Sequence, residues 1–404
     1  MQFEHFFTGT LWTQGFKPIV ALFEERYPSI KWDGLAVSYN AMLTKLTTLS
    51  AGGVPPDGTS AGESWAIIAA GQGLLQAIDD RIAKAGQPTA GWLADIFPAR
   101  MNNYVTNGKH YGVAIDLGAS AVYYDKDRFD QAGVAYPKPG WTWKDLWTMA
   151  GKLTLQQGSQ RQFGLQYATD LHWLYPFYGS LGGTYFDQGL TKATFDTAAS
   201  QTALQTLLDA RVKSNVTPYG AQATAISKQA NGKQPFTLGD YGMEHAWIGL
   251  IAYLHDKGVA VKNWDVAPIP TGGPAQVQMV GGQGFAIVSG AKHPDEAWEW
   301  NTFMASDDVQ KMLGVNGVWF PGRKSMAKFG LPSDGQPSRF IEAFYDPVAT
   351  AGMSPWWYVP GWDQWSKVIT DALAPAWNGQ ASTSDVAAKI TPTVNSMLQA
   401  RPKA

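Results

Sequence analysis

Residues 3–32 read FEHFFTGTLWTQGFKPIVALFEERYPSIKW, and this stretch decides the fold class. Phe3-Glu4-His5-Phe6-Phe7-Thr8 is a short β-prone run that ends at Gly9 and a polar turn. Phe16, Ile19, Val20, Phe23 and Tyr27 then recur at offsets of 0, 3, 4, 7 and 11, the spacing of one helix face. Pro28 stops that helix, and Ile30-Lys31-Trp32 opens another extended run. The first forty residues therefore read as strand, helix, strand.

The alternation continues along the chain. Thr142-Trp143-Lys144-Asp145 has the form of a capping box with Asp in place of Glu, and Leu146, Met149, Ala150 and Leu153 follow as an apolar face. His293-Pro294-Asp295-Glu296 starts a helix with Pro in the first turn and acids at the positive dipole end. Ala297, Trp300 and Met304 form its buried side. Strand-like runs lie between the helices at Val122–Tyr124, Asp265–Ala267 and Phe285–Val288. Elements that alternate in this way predict an α/β architecture. No repeat or linker-like segment marks a boundary, so two domains would require the chain to cross between them more than once.

The length of 404 residues fits two or three domains at about 150 residues each. With 31 basic and 33 acidic residues the formal charge is -2, which argues against a nucleic-acid partner. Charged residues are 16% of the chain, against about 25% in ordinary globular domains, and 43 Gly, 24 Pro and 18 Trp take their place. The absence of cysteine excludes disulfides, thiolate metal sites and a cysteine nucleophile, and is compatible with either side of a membrane. The longest uncharged stretch, Val266 to Ala291, contains Pro268, Pro270 and Pro274 and cannot span a membrane. Residues 1–12 lack the basic start and apolar run of a signal peptide and read as a strand, as expected of a mature or trimmed form.

Metal and cofactor chemistry is not indicated. The six histidines form no close pair with ligand spacing and there is no HExxH; His110, His255 and His293 read as surface residues. Gly281-Gly282-Gln283-Gly284 lacks both the dinucleotide and the P-loop pattern. It is either a tight turn before a strand or a backbone that approaches a ligand closely, and the two can hold together. Gly58-Thr59-Ser60-Ala61-Gly62 matches GxSxG, but Gly52–Asp57 ahead of it cannot be the buried strand a nucleophile elbow requires. It therefore reads as a chance match in a loop. What remains is aromatic. Trp12, Trp65, Trp173, Trp247, Trp319, Trp356 and Trp357 lie in or beside Gly/Pro/Ser-rich segments. His172–Tyr178 and Pro355–Tyr358 are especially dense. An indole offers a flat apolar face and one N–H donor, which suits the C–H face and hydroxyls of a sugar. Trp143, Trp147, Trp298 and Trp300 fall in helices and read as core.

An ordered set of segments resembles the extracellular solute-binding proteins of ABC sugar importers, the maltose-binding-protein-like family. These are Ile19–Ile30, Ala51-Gly52 with Pro56-Asp57, Asn107–Val113, Val122–Phe129, Ala132-Gly133, Trp141–Leu146, Trp264–Pro270, Gly281-Gly282, Lys292–Trp298 and Asn316–Arg323. The resemblance implies an α/β fold of two lobes joined by a hinge that the chain crosses several times, with a ligand cleft between the lobes. One lobe would be residues 1–117 plus 268–322, the other 118–267 plus 323–404. It implies a monomeric, non-catalytic receptor, periplasmic or extracellular, without cofactor. The receptor would close around a carbohydrate and deliver it to the transmembrane subunits of the permease.

From the first lobe the expected ligand contacts are Thr10, Trp12, Ser60, Glu63, Ser64 and Trp65, with Asp116 at the first crossing and the backbone of Gly281 and Gly282. From the second they are His172, Trp173, Tyr178, Trp247 and Trp357. Two other readings stay open. A secreted carbohydrate-active enzyme would need a carboxylate pair, for which Glu63 and Asp116 are candidates. A receptor for an anionic sugar derivative (phosphate, sulfonate or glycerophosphodiester) would need an arginine or several N–H donors aimed at the anion, and Arg323 is the candidate guanidinium in a family-matching segment.

Overall fold

The computed structural model describes residues 1–9, 11–63, 65–86, 89–157, 160–317, 319–350 and 362–400. It divides into two compact α/β units, Met1–Ala119 with Val280–Gly335 and Ser120–Met279 with Gln336–Ala404. The chain passes between units at 119/120, 279/280 and 335/336, whereas 117/118, 267/268 and 322/323 are expected from the sequence. Hydrogen bonds account for the displacement. Residues 268–279 stay with the second unit because Thr271 N–H donates to Trp141 O (2.8 Å) and Val277 N–H to Ser180 Oγ (3.0 Å). Residues 323–335 stay with the first because Arg323 Nε and Ser325 N–H both reach the Asp95 carboxylate, at 3.0 and 3.1 Å.

In the first unit the sheet order is Asp33–Ala36, Gln2–His5, Gly58–Gly62, Gln283–Ile287, Val113–Ala114. The first three strands are parallel and the last two antiparallel to their neighbours. The GxSxG segment is thus a strand and not a loop. Its composition gives no β signal, and pairing on both sides overrides that deficit. Ser60 is opposite Phe285 in the middle of the strand and wholly buried, which is not the exposed turn of a nucleophile elbow.

Helix Lys17–Arg26 buries Ile19 and Phe23, the positions picked out by periodicity. Phe23 meets Trp300 of helix Pro294–Met304 edge-on at 5.1 Å, and Phe3 meets Phe285 likewise at 5.2 Å. Asp57 ties this core together. Its carboxylate accepts Gln2 N–H (2.7 Å) and His293 N–H (2.8 Å), joining the edge of one strand to the start of a helix far along the chain.

The second unit is built on strands ordered Trp264–Ala267, Gly118–Asp125, Tyr241–Trp247, Gln160–Gln166, Leu155–Gln157. Helix Trp143–Leu153 carries the capping box, with Thr142 and Asp145 each accepting the other's backbone N–H. Leu146, Ala150 and Leu153 pack with Val122, Tyr124, Leu165 and Met243 from the sheet. Helices Trp362–Trp377 and Thr383–Gln399 complete this core with Trp365, Ile369, Ile390 and Val394.

Glu244 on strand Tyr241–Trp247 alternates away from His245 and Met243, and its Oε2 is buried without a hydrogen-bond partner. Burial pushes its carboxyl up to about 8. Above the ordinary carboxylate range the unfolded chain releases this proton while the folded chain keeps it. The contribution of this group to stability therefore falls as pH rises toward about 8. Between about pH 5 and about pH 9 the urea midpoint of Glu244→Gln should rise relative to that of the wild type, so that the variant has its greatest advantage at the alkaline end. Parallel profiles for the two proteins would show that Glu244 ionises freely.

Candidate functional site

Within the first unit, a buried polar cluster forms around the glycine pair. Gly282 has φ +128°, a conformation that side chains rarely adopt, and a Cβ there would run into Asp116 Oδ1. A Cβ at Gly281 would lie 3.1 Å from Glu63 Oε1. The missing side chains let both carboxyl groups come up to the backbone.

Arg100, from the short helix Pro98–Met101, is entirely buried among these groups. Its Nε donates to Asp116 O (2.9 Å) and its Nη2 to Gln283 O (3.1 Å), with Asp116 Oδ1 at 3.7 Å from Nη2. Gln283 N–H donates to Asp116 Oδ1, and Gly282 N–H to the Glu63 carboxyl. Tyr104, four residues after Arg100, donates from Oη to Ala61 O at 3.0 Å and reaches Gly282 O at 3.4 Å. Burial pushes the Asp116 carboxyl up to about 7 against the pull of the Arg100 charge, and raises Glu63 for the same reason. Glu63 Oε2, Arg100 Nη1, Gln283 Oε1 and Ser60 Oγ are buried with no partner. Buried polar atoms of this kind are ordinarily satisfied by ordered water.

Of the expected contacts, Glu63, Asp116, Gly281 and Gly282 are brought together here. Trp12 is not in a loop but in a π-helical turn, Leu11–Phe16, where it is half-buried and stacked on His5 at 5.6 Å and Trp32 at 5.7 Å. Trp65 precedes helix Ala66–Gly71 and belongs to the apolar core. Arg323 is held by Asp95 and Asp307 and also donates to Ala305 O (3.1 Å), so its guanidinium is already committed. Thr10, Ser64, Trp357 and the rest of Pro355–Tyr358 lie outside the described residues.

In the second unit Trp247 ends strand Tyr241–Trp247 and is 43% exposed. Its ring lies over Gly249, where any Cβ would collide with it, and Tyr123 Oη donates to its carbonyl at 2.9 Å. His172 and Trp173 are half-buried in helix Leu171–Ser180, with their rings edge-to-face at 4.9 Å. Burial pushes both His172 and His245 down to about 3, so both imidazoles are neutral. His245 Nε2 is 2.9 Å from Ser120 Oγ, which donates to Gln278 Oε1 (2.9 Å). Tyr178 is core: it is buried and stacks on Tyr185 at 5.3 Å.

Arg100 and Tyr104 are absent from the sequence expectations. The available signal was their i,i+4 spacing, which puts a cation and a phenol on one side of a helical turn. Among the described residues no group of three or more His, Asp or Glu is placed to hold a metal ion, and no helix is long and apolar enough to cross a membrane.

A family model described as bacterial extracellular solute-binding protein matches residues 9–311. A binding protein of Brucella abortus is 26% identical over 388 residues, covering 93% of this chain and 88% of that one. Among solved structures, an ABC substrate-binding protein of Listeria monocytogenes in complex with cycloalternan superposes with a TM-score of 0.82 at 22% identity, over 99% and 98% of the two chains. The GacH receptor of Streptomyces glaucescens, solved unliganded and with acarbose, gives 0.77 at 22% identity over 100% and 99%. The two structures establish a common fold.

The close approach at Gly282 yields a direct test. Gly282→Ala should cost about 1–3 kcal/mol, from strain at positive φ and displacement of Asp116 and Arg100. Urea unfolding measures it, and an unchanged midpoint would mean that the loop relaxes freely.

Proposed function

The chain belongs to the bacterial extracellular solute-binding protein family, and we propose that it is the carbohydrate receptor of an ABC importer. It works outside the cytoplasm, catalyses nothing, and hands its ligand to a membrane permease. The observation that carries the carbohydrate reading is Trp247, a large indole left exposed with its ring seated on Gly249. A fixed flat apolar surface of this kind suits the C–H face of a pyranose. We assign hydroxyl contacts in the first unit to Glu63, Asp116 and the Gly281–Gly282 backbone; in the second, Trp247 and Trp173 would stack on the sugar and His172 would contact a hydroxyl.

Two observations weigh against the other readings. An anionic ligand needs a guanidinium or several N–H donors aimed at it, but Arg323 is engaged by two carboxylates and a carbonyl, Arg100 by two carbonyls and the nearby Asp116 carboxyl, and the Gly282 and Gln283 N–H groups by Glu63 and Asp116. A glycosidase needs its two carboxyl groups on either side of the scissile bond, whereas Glu63 and Asp116 abut consecutive glycines.

Thermal-shift measurements with maltose, cycloalternan, mannitol and glycerol 3-phosphate test the reading. One of the neutral compounds should raise the melting temperature, with about 2.7 kcal/mol of stabilisation at a hundredfold excess over Kd. Glycerol 3-phosphate should not, and mass spectrometry should recover each sugar intact. A shift confined to the phosphate, or turnover of a sugar, would overturn the proposal. Trp247→Ala should weaken the sugar that binds at least tenfold, about 1.4 kcal/mol, as read by calorimetry; equal affinity would remove Trp247 from the site.

A further inference from the structure

His245 lies on strand Tyr241–Trp247, two residues before Trp247, so both side chains fall on one face of the sheet. The register sets Ser120 of strand Gly118–Asp125 directly opposite Trp247 on that face. Helix Leu171–Ser180 packs here: the Phe177 ring centre is 4.8 Å from that of His245, and Trp173 is one turn earlier on the same helix. The end of this helix is tied to the segment 277–279, since Val277 N–H donates to Ser180 Oγ at 3.0 Å. That segment supplies Gln278, which is buried, as are Ser120 and His245. All of these residues belong to the second unit.

The hydrogen bonds among them have one consistent set of directions. Gln278 Nε2 donates to Ser120 O (2.7 Å) and Gln278 Oε1 accepts Met279 N–H (3.0 Å), so two backbone groups fix the amide. Ser120 Oγ is 2.9 Å from Gln278 Oε1, an atom that can only accept, and the hydroxyl therefore gives its single proton there. His245 Nε2, at 2.9 Å from the same hydroxyl, must then be the donor. A neutral imidazole has one N–H, and here it is committed to Ser120. Burial keeps the ring neutral, so Nδ1 retains its lone pair. Nδ1 is buried and meets no donor among the described residues. An acceptor left unfilled in the interior is destabilising, and whatever fills this one must donate a hydrogen bond.

We propose that His245 is a specificity-determining residue of the carbohydrate site: Gln278 and Ser120 hold it as the Nε2–H tautomer, and its Nδ1 accepts a hydrogen bond from a hydroxyl of the sugar that stacks on Trp247. Gln278 and Ser120 are positioning residues, because they act only through the ring. The arrangement selects for a donor. A hydroxyl satisfies Nδ1, whereas a deoxy position or an ether oxygen leaves it unfilled. The inference takes its ligand class from the carbohydrate reading, but the tautomer is a property of the ligand-free chain. Water offers the same O–H chemistry, so the test separates the two sources.

The full chain, labelled with 15N at histidine, is measured first without ligand by long-range 1H–15N NMR, with the His245 signals identified by their loss in His245→Gln. The proton should be fixed on Nε2; a proton on Nδ1, or one averaged between the two nitrogens, would overturn the proposal. Ser120→Ala should release the ring, so that its two nitrogen shifts move toward each other, a change that a purely structural serine would not produce. Shifts identical to those of the wild type would show that the relay does not set the tautomer, and would also overturn it. Calorimetry with maltose, cycloalternan and mannitol adds the binding arm. His245→Gln keeps an N–H for Ser120 but has no Nδ1, so it should bind the compound that the wild type binds about fivefold more weakly. At saturation with that compound the wild-type Nδ1 resonance should move to the position of a hydrogen-bonded acceptor. Equal affinity in His245→Gln, or an Nδ1 resonance unmoved at saturation, would assign the O–H to water and overturn the proposal even if Ser120→Ala fails to fold. If none of the three compounds binds the wild type, it is the carbohydrate reading that fails, and the acceptor role falls with it.

Discussion

The wholly buried guanidinium of Arg100 constrains the first unit more than any other single group. A charge taken out of water must be paired and hydrogen-bonded, and removing one partner of a buried pair typically costs about 3–5 kcal/mol. Arg100 meets this demand with the backbone carbonyls of Asp116 and Gln283, which lie in segments far apart in the sequence. Tyr104 adds the carbonyls of Ala61 and Gly282. One helical turn thus fixes the ends of three strands. The positive φ of Gly282 and the approach of Glu63 and Asp116 to the backbone follow from that fixing. The binding chemistry assigned to this face depends on a residue that touches no solvent.

Much of this was legible in the sequence where a periodic or capping pattern carried it. The helix at Lys17–Arg26, the capping box at Thr142–Asp145 and the strand around Val122–Tyr124 all follow from local rules. The strand Gly58–Gly62 was not legible, because small residues carry no β signal and only its two neighbours make it a strand. Arg100 was missed for a related reason. The local i,i+4 spacing with Tyr104 is a common one and does not reveal burial, because the carbonyls that bury the charge sit far along the chain at 116 and 283. The tryptophans divided by burial in a way that flanking glycines and serines could not reveal. Trp65 packs into the core beside a loop-like stretch, whereas Trp247 projects from the end of a strand.

The segments that make the family recognisable are largely those that hold the scaffold. Asp57 bridges two backbone N–H groups, Asp125 caps helix Lys126–Gln131, and Arg128 Nη2 donates to Leu153 O at 2.9 Å. These are ties between elements, so their spacing reports the fold. Ligand identity resides in side chains that such ties present, which explains why the fold could be read from the resemblance while the ligand could not. Fold and function are separate inferences here, as in other common architectures.

A chain with few charges must pack and bind largely with rings, and burial decides which of the two a ring does. His5, His172 and His245 are all pushed well below their ordinary range by burial, so they act as neutral aromatic surfaces; His5 stacks on Phe7, Trp12 and His245 lies against Phe177. Trp300 is consumed in the same way by Phe3, Phe23 and Phe285. A ring that is to bind something must escape this packing yet keep one orientation. Trp247 does so because Gly249 lets the ring lie flat against the chain and Tyr123 pins its carbonyl. In the proposed site, a ring held against Gly249 would spare part of the roughly 0.5–1.5 kcal/mol otherwise lost in ordering such a side chain on binding. In the first unit Arg100 fixes the backbone carbonyls of Asp116 and Gln283, beside the glycines that Glu63 and Asp116 approach. Local order thus comes from ring packing and backbone contact around Trp247, and from a buried charge around Gly281–Gly282.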